Sequence, residues 1–365
     1  MIKNVLFVQF KHYTGILEGG GLVNQRNVQM AEQLLGAENV RVYYVHDDAR
    51  RRSLGNWLLS ALYFPFGHFN GMLPSRLREI VRLAAGYDCV FISTTIFGIV
   101  ARELKAAGYR GRIVAHFHNV ESIYYDHLLP KYMPFRGVII NCAARNDAYS
   151  CRYADVVLAL NERDAVLLEK MYGRRPDYLV PVALKDQCEH INFDAEAQTE
   201  ARPRLLFLGS SFTANNEGVL WFVQHVLPHV DAEFRIVGRD MDKLQAANAC
   251  LRDVQVFSNV PDLAEHYLWA DFMVLPIFSG SGMKVKTCES MMYGRNILGT
   301  DETFEGYREY VGGSARLCNT AQDFIDAITY YAGHPVPRFN ARIRDIYLRH
   351  FSQEASLQVF REVFG

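Results

Sequence analysis

Pro276-Ile-Phe-Ser-Gly-Ser-Gly-Met-Lys-Val-Lys-Thr-Cys-Glu-Ser-Met-Met-Tyr-Gly294 sets small residues, two cations and a carboxylate at one strand-to-helix turn. The apolar run 272–275 before it suits a buried strand, and residues 286–293 have helical spacing, so Ser279-Gly-Ser-Gly282 falls in the connection. Glycines there let the backbone approach a ligand, and the helix beyond offers free N–H groups and the positive end of its dipole. Lys284 and Lys286 add full charges that favour a diphosphate. Glu289, one turn further in, has the wrong sign for phosphate but accepts hydrogen bonds from a ribose diol. Ser281, Gly282, Met283 and Glu289 are therefore candidates for a nucleotide-diphosphate clamp, with Lys284 and Lys286 as its charged members. The plainer reading is an ordinary turn followed by a solvated helix face.

The wider segment favours the first reading. Asn259-Val-Pro-Asp-Leu263, Tyr267-Leu-Trp-Ala-Asp271, Val274-Leu-Pro276, Gly280-Ser-Gly-Met-Lys-Val-Lys286, Glu289, Gly294, Thr300 and Glu305-Gly306 occur in this order. The pattern resembles the C-terminal half of GT-B glycosyltransferases, nearest to the retaining, family-4-like enzymes (glycosyl transferases group 1). The resemblance implies an α/β chain of two Rossmann-like, doubly wound parallel-sheet domains facing across a cleft. It also implies metal-independent transfer from a nucleoside-diphosphate sugar, UDP or GDP, to a saccharide or lipid-linked saccharide, as in bacterial surface polysaccharide or glycolipid assembly. No cofactor is expected. In one respect the chain departs from the family: many of its members have a glutamate eight positions before Glu289, where Ser281 stands here.

Composition agrees with a two-domain enzyme. A chain of 365 residues that is 50% hydrophobic exceeds one ordinary core, and two domains of about 150–200 residues are the natural division. Residues 1–183, 184–341 and 342–365 are expected to form an N-terminal domain, a nucleotide-sugar-binding domain and a helix returning to the first domain or packing on the second. The chain opens on a strand without a signal-peptide pattern, and no apolar run reaches the roughly 18 residues of a membrane span. Seven scattered cysteines without CxxC spacing argue for reduced thiols and against zinc. The expected compartment is the cytoplasm. Residues 1–183 carry 22 Lys and Arg against 16 Asp and Glu, and residues 184–365 carry 17 against 24. So small a basic excess, without interleaved aromatics, points away from nucleic acid.

Short β-like runs alternate with helical patterns, the signature of parallel α/β units. Strands are predicted at 4–9, 40–45, 89–93, 112–117 and 156–160, then at 205–208, 233–237, 254–257, 272–275 and 295–298, with a polar stretch at 184–204 between the series. Gly19-Gly-Gly21 precedes a helix predicted from about Leu22. In the resembled family this loop faces the donor phosphates, which makes Gly20 and Gly21 donor-binding candidates; a loop without a ligand is the alternative. It is no dinucleotide fingerprint, since Asn24 takes the place of the third glycine.

His116-Phe-His-Asn-Val-Glu121 ends the fourth strand. The family pattern matches His118, Asn119 and Glu121 and places the histidine near the donor sugar, so His118 is a catalytic candidate. His116 points the same way in an extended strand, so either histidine can be the structural one. Gly209, Ser210 and Ser211 follow a strand and offer N–H groups and hydroxyls to the distal phosphate; Val260 matches the loop that contacts the base. No DxD motif suggests a metal. Breaking the anomeric C–O bond leaves charge on the departing diphosphate, which the lysines and helix start would stabilise. An inverting enzyme would need a base, with His118, Glu121 or Asp126 available. A nucleotide-sugar epimerase and a non-catalytic binding module share the same clamp.

Between Arg50 and Leu83, Arg50-Arg-Arg52, Trp57, Phe64, Phe66, Arg76, Arg78 and Arg82 interleave cations with aromatics. Arg50, Arg51, Arg52, Trp57, Phe64 and Phe66 are candidates for acceptor contact or for an anionic membrane surface, with peripheral attachment. A core helix with a basic solvent face is the plain alternative.

Overall fold

The computed structural model describes residues 2–10, 19–45, 54–191, 193, 197–280 and 282–365. Two compact units result, one of Met1–Pro181 with Ser356–Gly365 and one of Val182–Ala355.

In the first unit six strands, β1 (Val5–Gln9), β2 (Val40–Tyr44), β3 (Cys89–Ile92), β4 (Arg112–Phe117), β5 (Val156–Ala159) and β6 (Tyr178–Leu179), form a parallel sheet in the order β2-β1-β3-β4-β5-β6. Successive side chains alternate between faces, and both faces are buried. Leu6, Val8, Val90, Ile92 and Ile113 pack with Ile80, Val100, Leu104 and Cys142 from the helices Pro74–Ala84, Ile99–Ala106 and Arg136–Tyr153. Val5, Phe7, Phe91 and Val114 pack on the other side with Met30 and Ala31 of the helix Gly19–Leu35, and with Leu357, Phe360 and Val363 near the C-terminus. Arg26 fastens that last helix: it donates to Ser356 Oγ (3.1 Å) and Pro181 O (2.8 Å), with its guanidinium over the Phe360 ring.

The second unit repeats the plan. Strands β7 (Arg204–Leu208), β8 (Glu233–Gly238), β9 (Gln255–Ser258), β10 (Phe272–Leu275), β11 (Asn296–Gly299) and β12 (Arg316–Leu317) run parallel in the order β12-β11-β10-β7-β8-β9. Leu205, Phe207, Val219, Phe222, Ile236 and Val274 lie in its apolar core.

Every strand expected from the sequence is present within one or two residues. The sequence missed β6 and β12, two-residue edge strands too short to show an alternating pattern. The first helix also starts earlier than expected, with Gly19–Gly21 inside its first turn. The single helix expected over 342–364 is broken. The helix Ala341–Ile346 runs into a π-turn, Tyr347–Phe351, and a new helix, Gln353–Phe364, follows Ser352. The cause is backbone pairing, since Leu184 N donates to Phe351 O (3.0 Å) and Gln353 N donates to Leu184 O (2.9 Å), which diverts groups a continuous helix would use. None of the seven cysteines forms a disulfide, and six are buried.

Candidate functional site

In the second sheet β7 connects onward to β8 on one side, whereas β10 lies on its other side. The carboxyl ends of β7 and β10 therefore mark the point where strand order reverses, the place where such sheets bind ligands. Three close approaches hold the loops there together. A Cβ on Gly238 would lie 1.8 Å from Gly209 O, so the loop after β8 passes directly against the loop after β7. A Cβ on Gly218, in the helix Thr213–His225, would lie 2.0 Å from Pro276 O, which seats that helix against the chain leaving β10. Asn259, at φ 56°, donates its backbone N–H to Gly238 O (3.1 Å), so Val260 leaves β9 beside the same edge.

Lys284 is the N-cap residue of the helix Val285–Met292, which carries Lys286 and Glu289 of the quoted stretch. Its ammonium bonds Glu302 Oε1 (2.6 Å) and Gly282 O (2.9 Å), and Tyr307 OH donates to its carbonyl (3.0 Å). Lys284 is thus an oriented cation with a carboxylate partner, whereas the sequence suggested a bare one. Lys286 reaches the other loop. Its ammonium donates to Asn215 Oδ1, stands 5.0 Å from the Phe207 ring centroid, and would be 2.9 Å from a Cβ on Gly209. Asn215 Nδ2 in turn donates to Ser210 O (2.8 Å), which joins Lys286 to the 209–211 loop. Desolvation, reinforced by the Lys284 charge and opposed by Glu289, brings the Lys286 ammonium down to about 7. Desolvation likewise lifts the Glu289 carboxyl to about 7, against a hydrogen bond from Tyr267 OH (3.2 Å) and the Lys286 charge.

Gly209, Lys284, Lys286 and Glu289 are therefore brought together, with Ser210 and Ser211 in the same loop and Val260 one loop further along the edge. Gly282 is in the left-handed region at φ 61°. Met283 turns its side chain inward, so that a Cβ on Gly306 would meet Met283 Cγ at 2.7 Å; only its backbone is free to face the loop. Ser281 lies outside the described residues. Sequence reasoning gave no role to Asn215 or Glu302. In the sequence Asn215 falls within what reads as the turn before a helix, although it lies inside the helix Thr213–His225, and Glu302 is 18 residues from Lys284.

In the first unit, His118 stands just past β4, where a Cβ on Gly20 would meet its Nδ1 at an ordinary 3.7 Å. Gly20 is exposed and Gly21 buried in the first turn of that helix. His116 is the structural member of the pair. It is wholly buried with Nδ1 2.8 Å from Asn27 Nδ2, and burial, the neighbouring His118 and Arg26 hold it neutral. Glu121 is buried and accepts from Thr94 Oγ1 (3.2 Å); desolvation and the Asp147 charge push its carboxyl up to about 8. Asp147, pushed up to about 6 by desolvation, accepts from Ser122 N (2.9 Å), Thr95 Oγ1 (3.3 Å) and Tyr172 OH (3.4 Å). Asp126, by contrast, forms an exposed ion pair with Arg136 (2.7 Å) away from this cluster. Asp147 was missed, although Asn146-Asp147 lies one turn from the apolar Cys142 and Ala143, spacing that marks a buried face.

The Glu121 shift has a testable sign. The folded chain holds a proton that the unfolded chain releases in the ordinary carboxylate range, so stability is full below that range and declines as pH rises to about 8. Glu121→Gln should remove this decline. The melting-temperature difference between variant and wild type should grow in the variant's favour across that window, and parallel profiles would count against a buried, protonated Glu121.

The arginine and aromatic stretch divides. Arg50, Arg51 and Arg52, with the side chain of Trp57, lie outside the described residues. Phe64 packs against the apolar core, Phe66 is exposed, and Arg76 is occupied by Val45 O and Gly71 O. Among the described residues no group of three His, Cys, Asp or Glu side chains is arranged to hold a metal, and no helix is long and apolar enough to cross a membrane.

Residues 202–333 match the family described as Glycosyl transferases group 1. The fold of the chain is similar to Anabaena Alr3699/HepE, solved in complex with UDP-glucose (13% identity, 100% of this chain and 99% of that chain covered, TM-score 0.67). It is also similar to sucrose-phosphate synthase from Thermosynechococcus elongatus (14% identity, 99% of each chain, TM-score 0.68). A glycosyltransferase from Rickettsia africae gives 12% identity, 99% and 98% coverage and a TM-score of 0.63. No curated protein matches the chain. At such identities the likeness concerns the fold, and the family match covers the stretch that carries Gly209, Lys284, Lys286 and Glu289. The match to glycosyl transferases group 1 thus lies on residues 202–333, within a chain that has the two-sheet fold of GT-B glycosyltransferases.

Proposed function

We propose that the protein transfers a glycosyl unit from a nucleoside-diphosphate sugar to an acceptor hydroxyl. The observation that supports this most is the Lys286 ammonium, held by Asn215 between the 209–211 loop and a helix start at the sheet's reversal point. A diphosphate seated there meets N–H groups, two serine hydroxyls and two ammonium groups. Charge that develops on the leaving diphosphate is stabilised by groups already in place. Lys284, kept in orientation by Glu302, adds the second cation. Glu289 accepts from the ribose, and Val260 borders the base.

His118 belongs beside the donor sugar in this reading, and retention at the anomeric carbon follows from the resemblance to family-4-like enzymes. No metal or cofactor is required for the step. UDP fits the reading through the Anabaena protein solved with UDP-glucose, and GDP is the second choice. The acceptor is a saccharide or lipid-linked saccharide of bacterial surface polysaccharide or glycolipid assembly, and the reaction is cytoplasmic, where such donors are made.

A thermal-shift screen of UDP, GDP and ADP with their sugars is the direct test, since a ligand at 100 times its Kd stabilises by about 2.7 kcal/mol. One diphosphate should raise the melting temperature of the wild type and raise that of Lys286→Ala much less at the same concentration. Product analysis with donor alone separates the rivals. Isomerised nucleotide sugar would make the protein an epimerase, and an inert donor in the presence of every acceptor would leave a binding module.

A further inference from the structure

The first unit exposes large apolar side chains on two segments outside the diphosphate stretch. In the helix Leu54–Tyr63 and the turn after it, Leu62 is 64% and Phe66 59% exposed, beside exposed Leu58 and Leu59. Residues 128–138 add Tyr132, 90% exposed, and Phe135, 79% exposed, with Leu128, Met133 and Val138. Phe135 is held at φ 61°, a region unfavourable to a bulky side chain, so the backbone is strained while its ring stands in solvent. The second segment leads into the helix Arg136–Tyr153, which begins right after Phe135, and the first is fastened to that helix. Arg145 Nη1 donates to Pro65 O (2.8 Å), and Asn146 Nδ2 donates to Gly67 O (2.9 Å). Scattered exposed apolar residues are normal; two groups of large ones on segments that adjoin one helix mark an interaction site.

A basic cavity adjoins the same turn. Two residues past Phe66, His68 lines a space of about 680 Å³ together with Leu77, Arg78, Val81, Arg82 and Arg102. Arg102 is engaged by Glu103 (2.6 Å) and lies over the Tyr149 ring (4.7 Å), against which Gly67 also packs. Arg78 and Arg82, four apart on the helix Pro74–Ala84, are exposed, and among the described residues neither has an acidic partner within 4.0 Å. Apolar side chains beside uncompensated guanidinium groups complement one surface in both respects, a bilayer with anionic headgroups.

We propose that this face docks onto an anionic phospholipid surface, with Leu62, Phe66, Tyr132 and Phe135 entering the interfacial layer and Arg78 and Arg82 receiving headgroup phosphate. No described helix can span a bilayer, so the unit lies on it. The inference uses no residue of the second unit and stands or falls apart from the reaction proposed above.

The test is co-sedimentation of the full chain with phosphatidylcholine vesicles, with and without phosphatidylglycerol. Wild type should bind the anionic vesicles at least about tenfold more tightly, and Arg78→Glu/Arg82→Glu should lose that preference. Leu62→Ser/Phe66→Ser should bind both vesicles more weakly. Phe135→Gly suits the left-handed φ, so weaker binding by that variant cannot be blamed on misfolding. Equal binding by wild type and the arginine variant overturns the proposal. So does saturation by inorganic phosphate without vesicle binding, which makes the cavity a soluble-anion site, or a dimer that Leu62→Ser/Phe66→Ser abolishes, which makes the face a contact between copies.

Discussion

Lys286→Ala is expected to lower donor-dependent turnover by about 10²–10³-fold, the loss typical of removing one preorganised group that faces charge developing in the transition state. Two features of the site make Lys286 the larger contributor of the two lysines. Lys284 already has a carboxylate at 2.6 Å, so part of its field is cancelled before any phosphate arrives. Among the described residues, the groups that touch the Lys286 ammonium are a neutral amide oxygen and the face of Phe207. Lys286→Arg should rescue poorly, because the space bounded by Asn215, Gly209 and Phe207 suits a compact ammonium rather than a planar fork. Near-wild-type turnover in Lys286→Ala would sink the assignment.

The same lysine predicts how affinity varies with pH. Its folded pKa lies near 7, and a bound diphosphate raises it, so binding takes up a proton. Affinity should be full below about 7 and fall by up to tenfold per unit as pH rises beyond it, until the pKa of the complex is passed. Calorimetry in buffers of different ionisation enthalpy reads the proton uptake directly. Lys286→Ala should bind weakly with no uptake; uptake that survives in this variant would place the titrating group elsewhere.

Gly218→Ala should destabilise the second unit by about 2 kcal/mol or more. Helix propensity alone argues the reverse, since alanine is about 1 kcal/mol better than glycine in a helix interior. Packing decides the outcome. The added Cβ would stand 2.0 Å from Pro276 O, a backbone atom with no rotamer to escape through, and overpacking of this kind costs about 1–3 kcal/mol or more. For a unit of this size the melting temperature should fall by roughly 4–8 °C. Nucleotide affinity should weaken as well, because Pro276 starts the stretch that ends at the two lysines. A melting temperature equal to or above that of the wild type would show that the helix can move away, and the close seat would then be unimportant.

Most of the second unit's site was readable as a linear pattern because its groups lie on one short stretch. Gly282, Lys284, Lys286 and Glu289 share a turn and a helix, so local spacing alone places them on one side. The partners that set their charge come from elsewhere. Asn215 is 71 residues from Lys286, and Tyr267 is 22 residues from Glu289. In the first unit, His116 and His118 were equivalent by alternation; burial against Asn27, 89 residues away, made the first structural. Asp147 reaches Ser122 only because two helices pack together. The interrupted terminal helix has the same origin, since its break answers to Leu184, a residue its own periodicity cannot report.

From the sequence by itself came the class of the fold, two series of parallel strands, and the stretch proposed to hold the diphosphate, because strand and helix periods and strand-to-helix turns are properties of neighbouring residues. The tertiary structure alone decided which lysine carries a paired charge and which a destabilised one, which histidine is structural, which carboxyls keep their protons, and where arginines stand beside exposed rings. Each of those depends on desolvation and on charges brought near by folding, and both are set by atoms tens of residues away along the chain.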